Sequence, residues 1–129
     1  MAQPAELAGF LPGQHLIDAY GAGGFRFADM SHRGSLLALP SGVHAWAART
    51  ISDADPQSLA ALFAEPAGAV ELLIVGTGAS PAPLPAELRA SLRDSGIRCD
   101  FMATGSAVST YNILLGERRR VAGAFLATA

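Results

Sequence analysis

A strand–helix–strand pattern over residues 70–102 constrains the fold more than any other feature of the chain. Val70–Val75 is a continuous apolar run of strand length, which is typical of a strand buried on both faces of a sheet. A helix pattern follows, with Leu88 and Leu92 four residues apart, and Ile97–Met102 predicts a second strand. Because a crossover within one sheet makes the two strands parallel, the sequence predicts a βαβ unit.

The first half of the chain is rich in short strand patterns. Phe25–Phe27 alternates apolar and polar residues, as in a strand half exposed to water. Ser35–Leu39 and Val43–Trp46 flank a Pro-Ser-Gly turn and predict a β-hairpin. Residues 1–14 mix Pro, Gly and Ala and predict a loosely ordered arm. We therefore expect residues 15–129 to form a single α/β domain, with a mixed central sheet and an N-terminal antiparallel β-hairpin subdomain.

Composition excludes several kinds of chemistry. The net charge of -2 and the charged fraction of 16% argue against a broad basic field for nucleic acid. All 9 basic residues are arginine, so a Schiff-base lysine and a phosphate-loop lysine are excluded. Cys99 is the single cysteine, which rules out an intramolecular disulfide. Its position in a predicted strand is typical of a cysteine that is buried and packs like a small apolar residue. We expect no bound cofactor.

We also expect no secretory signal and no membrane span. The N-terminal residues lack the basic start and continuous apolar region of a secretory signal. No apolar run approaches the length of about 20 residues that a membrane-spanning helix needs. The sequence therefore predicts a cytoplasmic protein without a transmembrane segment.

The loop after the first buried strand reads Gly76-Thr77-Gly78 and resembles the start of a nucleotide-binding loop. A dinucleotide site needs a third glycine and a helix that begins at once, because the helix N-terminus supplies the amides that hold phosphate. Here Pro81 occupies the third glycine position, and further prolines separate the strand from the helix. The loop is therefore either a tight strand-end turn or one wall of a site for a small ligand or anion.

A second polar loop, Thr104-Gly105-Ser106, follows the other predicted strand. The carboxyl ends of parallel strands meet at one sheet edge, so we expect Thr77 and Thr104 to approach each other. A helix beginning near Ser106 or Ala107 would direct amides to the same place. Capping alone also explains the hydroxyls, and Tyr111 is equally consistent with a core aromatic. The hypothetical ligand-binding cleft comprises Gly76, Thr77, Gly78, Thr104, Gly105, Tyr111 and Asn112.

Other polar residues give weaker indications. His15, His32 and His44 do not have metal-ligand spacing, so we predict no metal site, and no serine-elbow motif predicts a nucleophile. Asp18 beside a glycine-rich turn is typical of a local cap. Arg118-Arg119-Arg120 could bind an acidic partner or a lipid headgroup, or could form a solvated turn at a helix end. No catalytic residues are predicted, and enzymatic activity is left open.

Three segments carry a resemblance to a known family: IDAYGAGGF, the GTG after the buried strand, and TGSAV with the following TYNIL. Together they resemble a small domain family of unknown biochemical activity found in bacteria, archaea and mitochondria, which includes a respiratory complex I (NADH dehydrogenase) assembly factor. One departure is Leu115-Gly116-Glu117, where the family usually has a Glu-Gly-Arg turn. The matching positions are Asp18, Tyr20, Gly21, Gly24, Phe25, Gly76, Thr77, Gly78, Thr104, Gly105, Ala107, Thr110, Tyr111 and Asn112.

The resemblance implies a three-layer α/β domain with no established catalytic residue or cofactor. For the mitochondrial members it implies help in assembling a membrane complex through protein–protein contacts. The leading hypothesis is therefore a binding or assembly module whose contact surface includes the strand-end cleft of residues 76–80 and 104–112. Its protein partner is unknown, and a subunit of a membrane complex is one candidate. The alternative is a small-molecule or anion-binding protein, or a small enzyme, that uses the strand-end cleft.

Overall fold

The computed structural model describes residues 5–129 as two β-sheets and three α-helices. The strands and helices are, in chain order, β1 (Ala5–Glu6), β2 (Phe10–Pro12), β3 (Ala19–Gly21), β4 (Gly24–Phe27), β5 (Met30–Arg33), β6 (Ser35–Leu39), β7 (Gly42–Trp46), α1 (Ala60–Phe63), β8 (Leu72–Gly76), α2 (Ala86–Asp94), β9 (Arg98–Met102), α3 (Thr104–Gly116) and β10 (Val121–Phe125). The central sheet has six strands in the order β2-β7-β6-β10-β8-β9, and the front sheet has four in the order β1-β5-β4-β3.

The parallel half of the central sheet contains the predicted βαβ unit. β8 lies between β9 and β10 and is parallel to both. α2 connects β8 to β9, and α3 connects β9 to β10. Leu73 of β8 is opposite Cys99 on one side and Ala122 on the other. The apolar run is buried as expected, although β8 begins at Leu72 rather than Val70.

The antiparallel half of the central sheet is built from the predicted hairpin. β6 pairs with β7 through the Pro40-Ser41 turn and with β10 on its other edge. The hairpin is confirmed, but it belongs to the central sheet rather than to a separate front unit. The reason is that all five residues of β6 are buried, and a strand buried on both faces needs layers on both sides. The N-terminal antiparallel subdomain is instead the front sheet, in which β3, β4 and β5 form a meander and β1 adds in parallel.

Two apolar clusters on opposite faces of the central sheet make the domain three-layered. One face packs against α1 and α2 through Leu62, Leu88 and Leu92. The other face packs against α3 and the front sheet, and includes Phe27 and Tyr111. Period-two alternation along the central strands divides their side chains between the two clusters. Burying one large aliphatic side chain stabilises the fold by roughly 1.5–3 kcal/mol, so both faces contribute substantially.

The segment predicted as an arm of residues 1–14 contains two short strands where the structure describes it; residues 1–4 lie outside the described part. β1 pairs with β5, and β2 extends the central sheet along β7. Phe10 of β2 packs against the ring of His44, with ring centroids 4.6 Å apart. Backbone pairing of two or three residues leaves almost no periodic signal in a sequence, so these strands were not predicted. The division at residue 14 stays a prediction.

Candidate functional site

The two polar loops lie side by side at the carboxyl ends of β8 and β9. The backbone N–H of Thr77 donates to Met102 O at 2.9 Å and continues the ladder one residue past β8. Thr104 N donates to Gly78 O at 2.9 Å, and Gly78 N donates to Thr104 Oγ1 at 3.0 Å. The expected approach of the two loops is therefore present as a reciprocal pair of hydrogen bonds between Gly78 and Thr104.

Helix α3 begins earlier than the sequence suggested. Thr104 is its first residue, rather than Ser106 or Ala107, because Ala103 has extended backbone angles and accepts the first helical bond from Ala107 N at 2.9 Å. The first turn of α3 thus starts directly at the end of β9. Thr104 lies within the helix and its side chain does not cap it.

Thr104 joins three elements of the fold. Its hydroxyl donates to Leu126 O at 2.8 Å while accepting from Gly78 N, and the side chain is fully buried. Gly76 lies directly beneath it: a Cβ at Gly76 would be 2.9 Å from Thr104 Cα and 3.2 Å from Ala107 Cβ. The close approach of α3 to β8 therefore requires glycine at this position.

The hydroxyl of Thr77 forms hydrogen bonds with the backbone of the loop that follows it. This hydroxyl donates to Ser80 O at 2.6 Å and accepts from Ala82 N at 3.1 Å. Gly78 has a φ of +100°, a conformation that side-chain-bearing residues rarely adopt. These bonds are local to the turn and hold the proline-containing segment against the sheet edge.

A shallow depression of about 730 Å³ lies beside these loops. The ring of Tyr20 is half exposed and lies over Gly105, where a Cβ would be 2.2 Å from the tyrosine oxygen. Ser106 and Ser109 lie on the exposed side of α3. The residues lining the depression are Tyr20, Gly78, Ala79, Ala103, Gly105, Ser106, Ser109, Thr110 and Thr128.

Tyr111 and Asn112 lie on another side of α3, against residues 14–17. Tyr111 is fully buried, and its hydroxyl donates to His15 O at 2.8 Å. Burial raises the pKa of Tyr111 to about 12, which a hydrogen bond from Gln14 opposes. Asn112 accepts from Ile17 N at 2.9 Å and donates to Ile17 O at 2.8 Å. The seven predicted residues thus fall into two groups: five gather at the strand ends, and two fasten the N-terminal segment to α3.

Titratable groups elsewhere are scattered. Burial is the main cause that raises the pKa of the half-buried Cys99 thiol, so the thiolate is disfavoured there. Arg119 and Arg120 pair with Glu71 at 3.8 Å and 3.6 Å, in keeping with the turn interpretation of the arginine triplet. Within residues 5–129, no three His, Cys, Asp or Glu side chains gather as a metal centre requires.

A concave surface on the outer face of the front sheet was not predicted from the sequence. It has a volume of about 480 Å³ and is lined by residues that include Arg26, Arg33, Ser31 and Glu6. The alternation in Phe25-Arg26-Phe27 placed Arg26 on an exposed face, but it could not show which other residues share that face. Only the pairing of β4 with β5 and of β1 with β5 reveals the group.

With this geometry established, comparison with known proteins identifies the family. The profile of a family described as "Protein of unknown function (DUF498/DUF598)" matches residues 17–126. The chain belongs to this family. An uncharacterised protein of Rhodobacter capsulatus is 46% identical over 119 residues, which cover 92% of this chain and 86% of the relative. The resemblance inferred from the sequence motifs is confirmed.

A curated relative in zebrafish (Danio rerio), NADH dehydrogenase [ubiquinone] 1 alpha subcomplex assembly factor 3, is 31% identical over 86% of this chain. The matched region spans 63% of that protein's length. A solved structure described as an outer membrane protein from Bartonella henselae is 43% identical, with a TM-score of 0.85, over 92% of this chain and 98% of that one. The predicted α/β fold is thereby supported by a solved relative.

None of the helices within the described residues is long and apolar enough to cross a membrane. The longest, α3, has 13 residues, fewer than a bilayer core requires.

Proposed function

We propose that this protein is a binding module that assists assembly of a membrane protein complex, such as a respiratory complex, through protein–protein contacts. The observation that carries the proposal is the similarity to assembly factor 3, which extends over 86% of this chain. Under the same proposal the protein acts from the cytoplasm and contacts a membrane-complex subunit at its surface.

The bonding of the motif residues supports a binding role. Thr104, Asn112 and Tyr111 each direct their polar atoms to backbone groups of neighbouring segments. Acid–base or nucleophilic catalysis needs a polar group placed within reach of a substrate, next to a partner that activates it. The polar atoms of these side chains already form hydrogen bonds that stabilise the fold. We therefore expect a protein partner to contact exposed surface residues rather than the motif residues.

Deleting the gene in the organism that encodes the protein tests the proposal. We expect lower amounts of fully assembled respiratory complex I on native gels, with subassemblies accumulating, and a parallel fall in NADH oxidation by isolated membranes. Succinate oxidation by the same membranes is the control, because its enzyme is assembled separately. Normal complex levels and NADH oxidation in the deletion strain would refute the respiratory role.

A second candidate function is binding of a small molecule or anion in the strand-end depression. It is favoured by the grouping of Gly78, Gly105 and Ser106 around one concave surface at the carboxyl ends of parallel strands, where α/β sheets commonly bind ligands. Titrating labelled protein with phosphate, nucleotides and a metabolite mixture would test it by amide NMR. If the amides of residues 76–80 and 104–112 do not shift, this candidate fails.

A further inference from the structure

The outer face of the front sheet has a pattern of charge that suggests a specific occupant. Arg26 is opposite Ser31 across β4 and β5, and Arg33 lies two residues further along β5. Both arginines therefore project from the same face of the sheet, as diagonal neighbours. The Cα atoms of diagonal cross-strand neighbours lie roughly 7–8 Å apart, so the two positively charged side chains leave the sheet at separate positions.

The two arginines have no carboxylate within ion-pair distance among residues 5–129, whereas Arg119 and Arg120 are paired with Glu71. Arg26 and Arg33 are both exposed. Guanidinium groups bind carboxylates through two parallel hydrogen bonds, so this face offers two such positions to an approaching anionic group.

The positions around the arginines on this face are occupied by small residues. Gly24 is opposite Arg33, and Ser31 and Ala19 are opposite Arg26 on its two sides. Small side chains allow another backbone to approach closely. The concavity is also open, because Ala19, both arginines and other residues of its lining are exposed. Small-molecule sites usually bury most of the ligand, so an open surface fits a protein segment better.

The geometry points to a docking surface for an extended acidic segment of a protein partner. Alternate side chains of an extended strand lie on the same side and about 6.8 Å apart, which matches the spacing of the arginines. A segment with acidic residues at alternate positions could therefore pair one carboxylate with each guanidinium. This inference rests on the proposed function, since it names the partner's chemistry for the same binding role.

Replacing Glu6 should change peptide binding in the opposite direction from replacing either arginine. Glu6 is opposite Ser31 on β1 and lies in the lining of the same concave face. A carboxylate there repels an acidic segment. Glu6→Gln should therefore tighten binding, while Arg26→Ala and Arg33→Ala should each weaken it about tenfold, the equivalent of one charge-assisted hydrogen bond.

The probe is a short synthetic peptide of alternating glutamate and threonine, titrated into labelled full-length protein and followed by amide NMR. We expect shifts confined to β3, β4 and β5, weaker binding at high salt, and the three variant effects given above. The double variant Arg89→Ala, Arg93→Ala is the matched control, since it removes two exposed arginines from α2 and should bind like the unaltered protein.

Several outcomes would overturn the inference. These are absence of shifts, equal binding of the peptide with glutamine in place of glutamate, and shifts centred outside the front sheet. Stronger binding of inorganic phosphate or of anionic phospholipid vesicles at the same residues would assign the face to a different ligand. The gene-deletion experiment is independent: normal complex assembly in the deletion strain refutes the respiratory role, whereas failed peptide binding refutes only this surface.

Discussion

Replacement of Thr104 by valine tests the central structural claim, that one buried hydroxyl joins the two strand-end loops to the last strand. Valine has nearly the same shape but cannot form the bonds to Gly78 N at 3.0 Å and Leu126 O at 2.8 Å. Leaving a buried acceptor at Leu126 without a partner costs about 1–3 kcal/mol, and loss of the second bond costs about 0.5–1.5 kcal/mol. We expect the free energy of unfolding to fall by roughly 2–4 kcal/mol.

The same change should be visible as a thermal shift. At roughly 2.1 cal/mol/K per residue, a chain of 129 residues has an unfolding entropy near 270 cal/mol/K, so each kcal/mol lowers Tm by about 4 °C. Thr104→Val should therefore lower Tm by roughly 8–15 °C, measured by circular dichroism, with urea denaturation giving the free energy. Thr104→Ser is the control: it keeps the hydroxyl, loses one methyl group, and should cost only about 1 kcal/mol. The reasoning is refuted if valine destabilises no more than serine.

Three further changes test neighbouring contacts. Gly76→Ala should lower the free energy of unfolding by about 1–3 kcal/mol in urea denaturation, because the new Cβ would be 2.9 Å from Thr104 Cα; an unchanged midpoint would contradict this packing. Asn112→Ala should speed hydrogen exchange of the Ile17 amide by at least about tenfold, since that amide loses its acceptor at 2.9 Å; unchanged exchange would mean that another group protects it. Tyr111→Phe should alter the dependence of stability on pH. The raised pKa of about 12 means that the folded state holds the phenolic proton more tightly than the unfolded state does. The contribution of this group to the free energy of unfolding is therefore present in full below about pH 10 and falls by about 2–3 kcal/mol as the pH rises towards 12. The phenylalanine variant should lack that decline in urea midpoints, and identical curves would contradict the assignment.

The central part of the fold could be predicted because its signals are local. The apolar run of β8, the leucine spacing of α2 and the turn between β6 and β7 each lie within a few residues of sequence. Such patterns identify the elements and, through the handedness of crossovers, the parallel pairing. They cannot identify partners across long separations. β10 joins the hairpin strand β6 to the parallel strand β8, and only the folded chain shows that the hairpin belongs to the central sheet.

Part of the candidate site could likewise be predicted from the sequence. The rule that parallel strands end at one edge places Thr77 and Thr104 together, and the structure joins their loops through Gly78. The surroundings of Tyr111 and Asn112 depend on residues 14–17, almost a hundred positions away. No sequence pattern specifies which side of α3 that segment covers, so the contacts of these two side chains could not be predicted.

The motif residues and the arginines of the front sheet carry different information. Gly76, Thr104 and Asn112 have clear structural tasks, so a relative that shares them has the same means of joining α3 to its neighbours. A relative in which these residues have the same structural roles need not bind the same partner. Arg26 and Arg33 occupy exposed strand positions, where folding requires only that the side chain tolerate water. Solvation or recognition must therefore account for them. A solvation role predicts that Glu6→Gln leaves acidic-peptide binding unchanged, whereas recognition predicts tighter binding, and this difference in sign separates the two explanations.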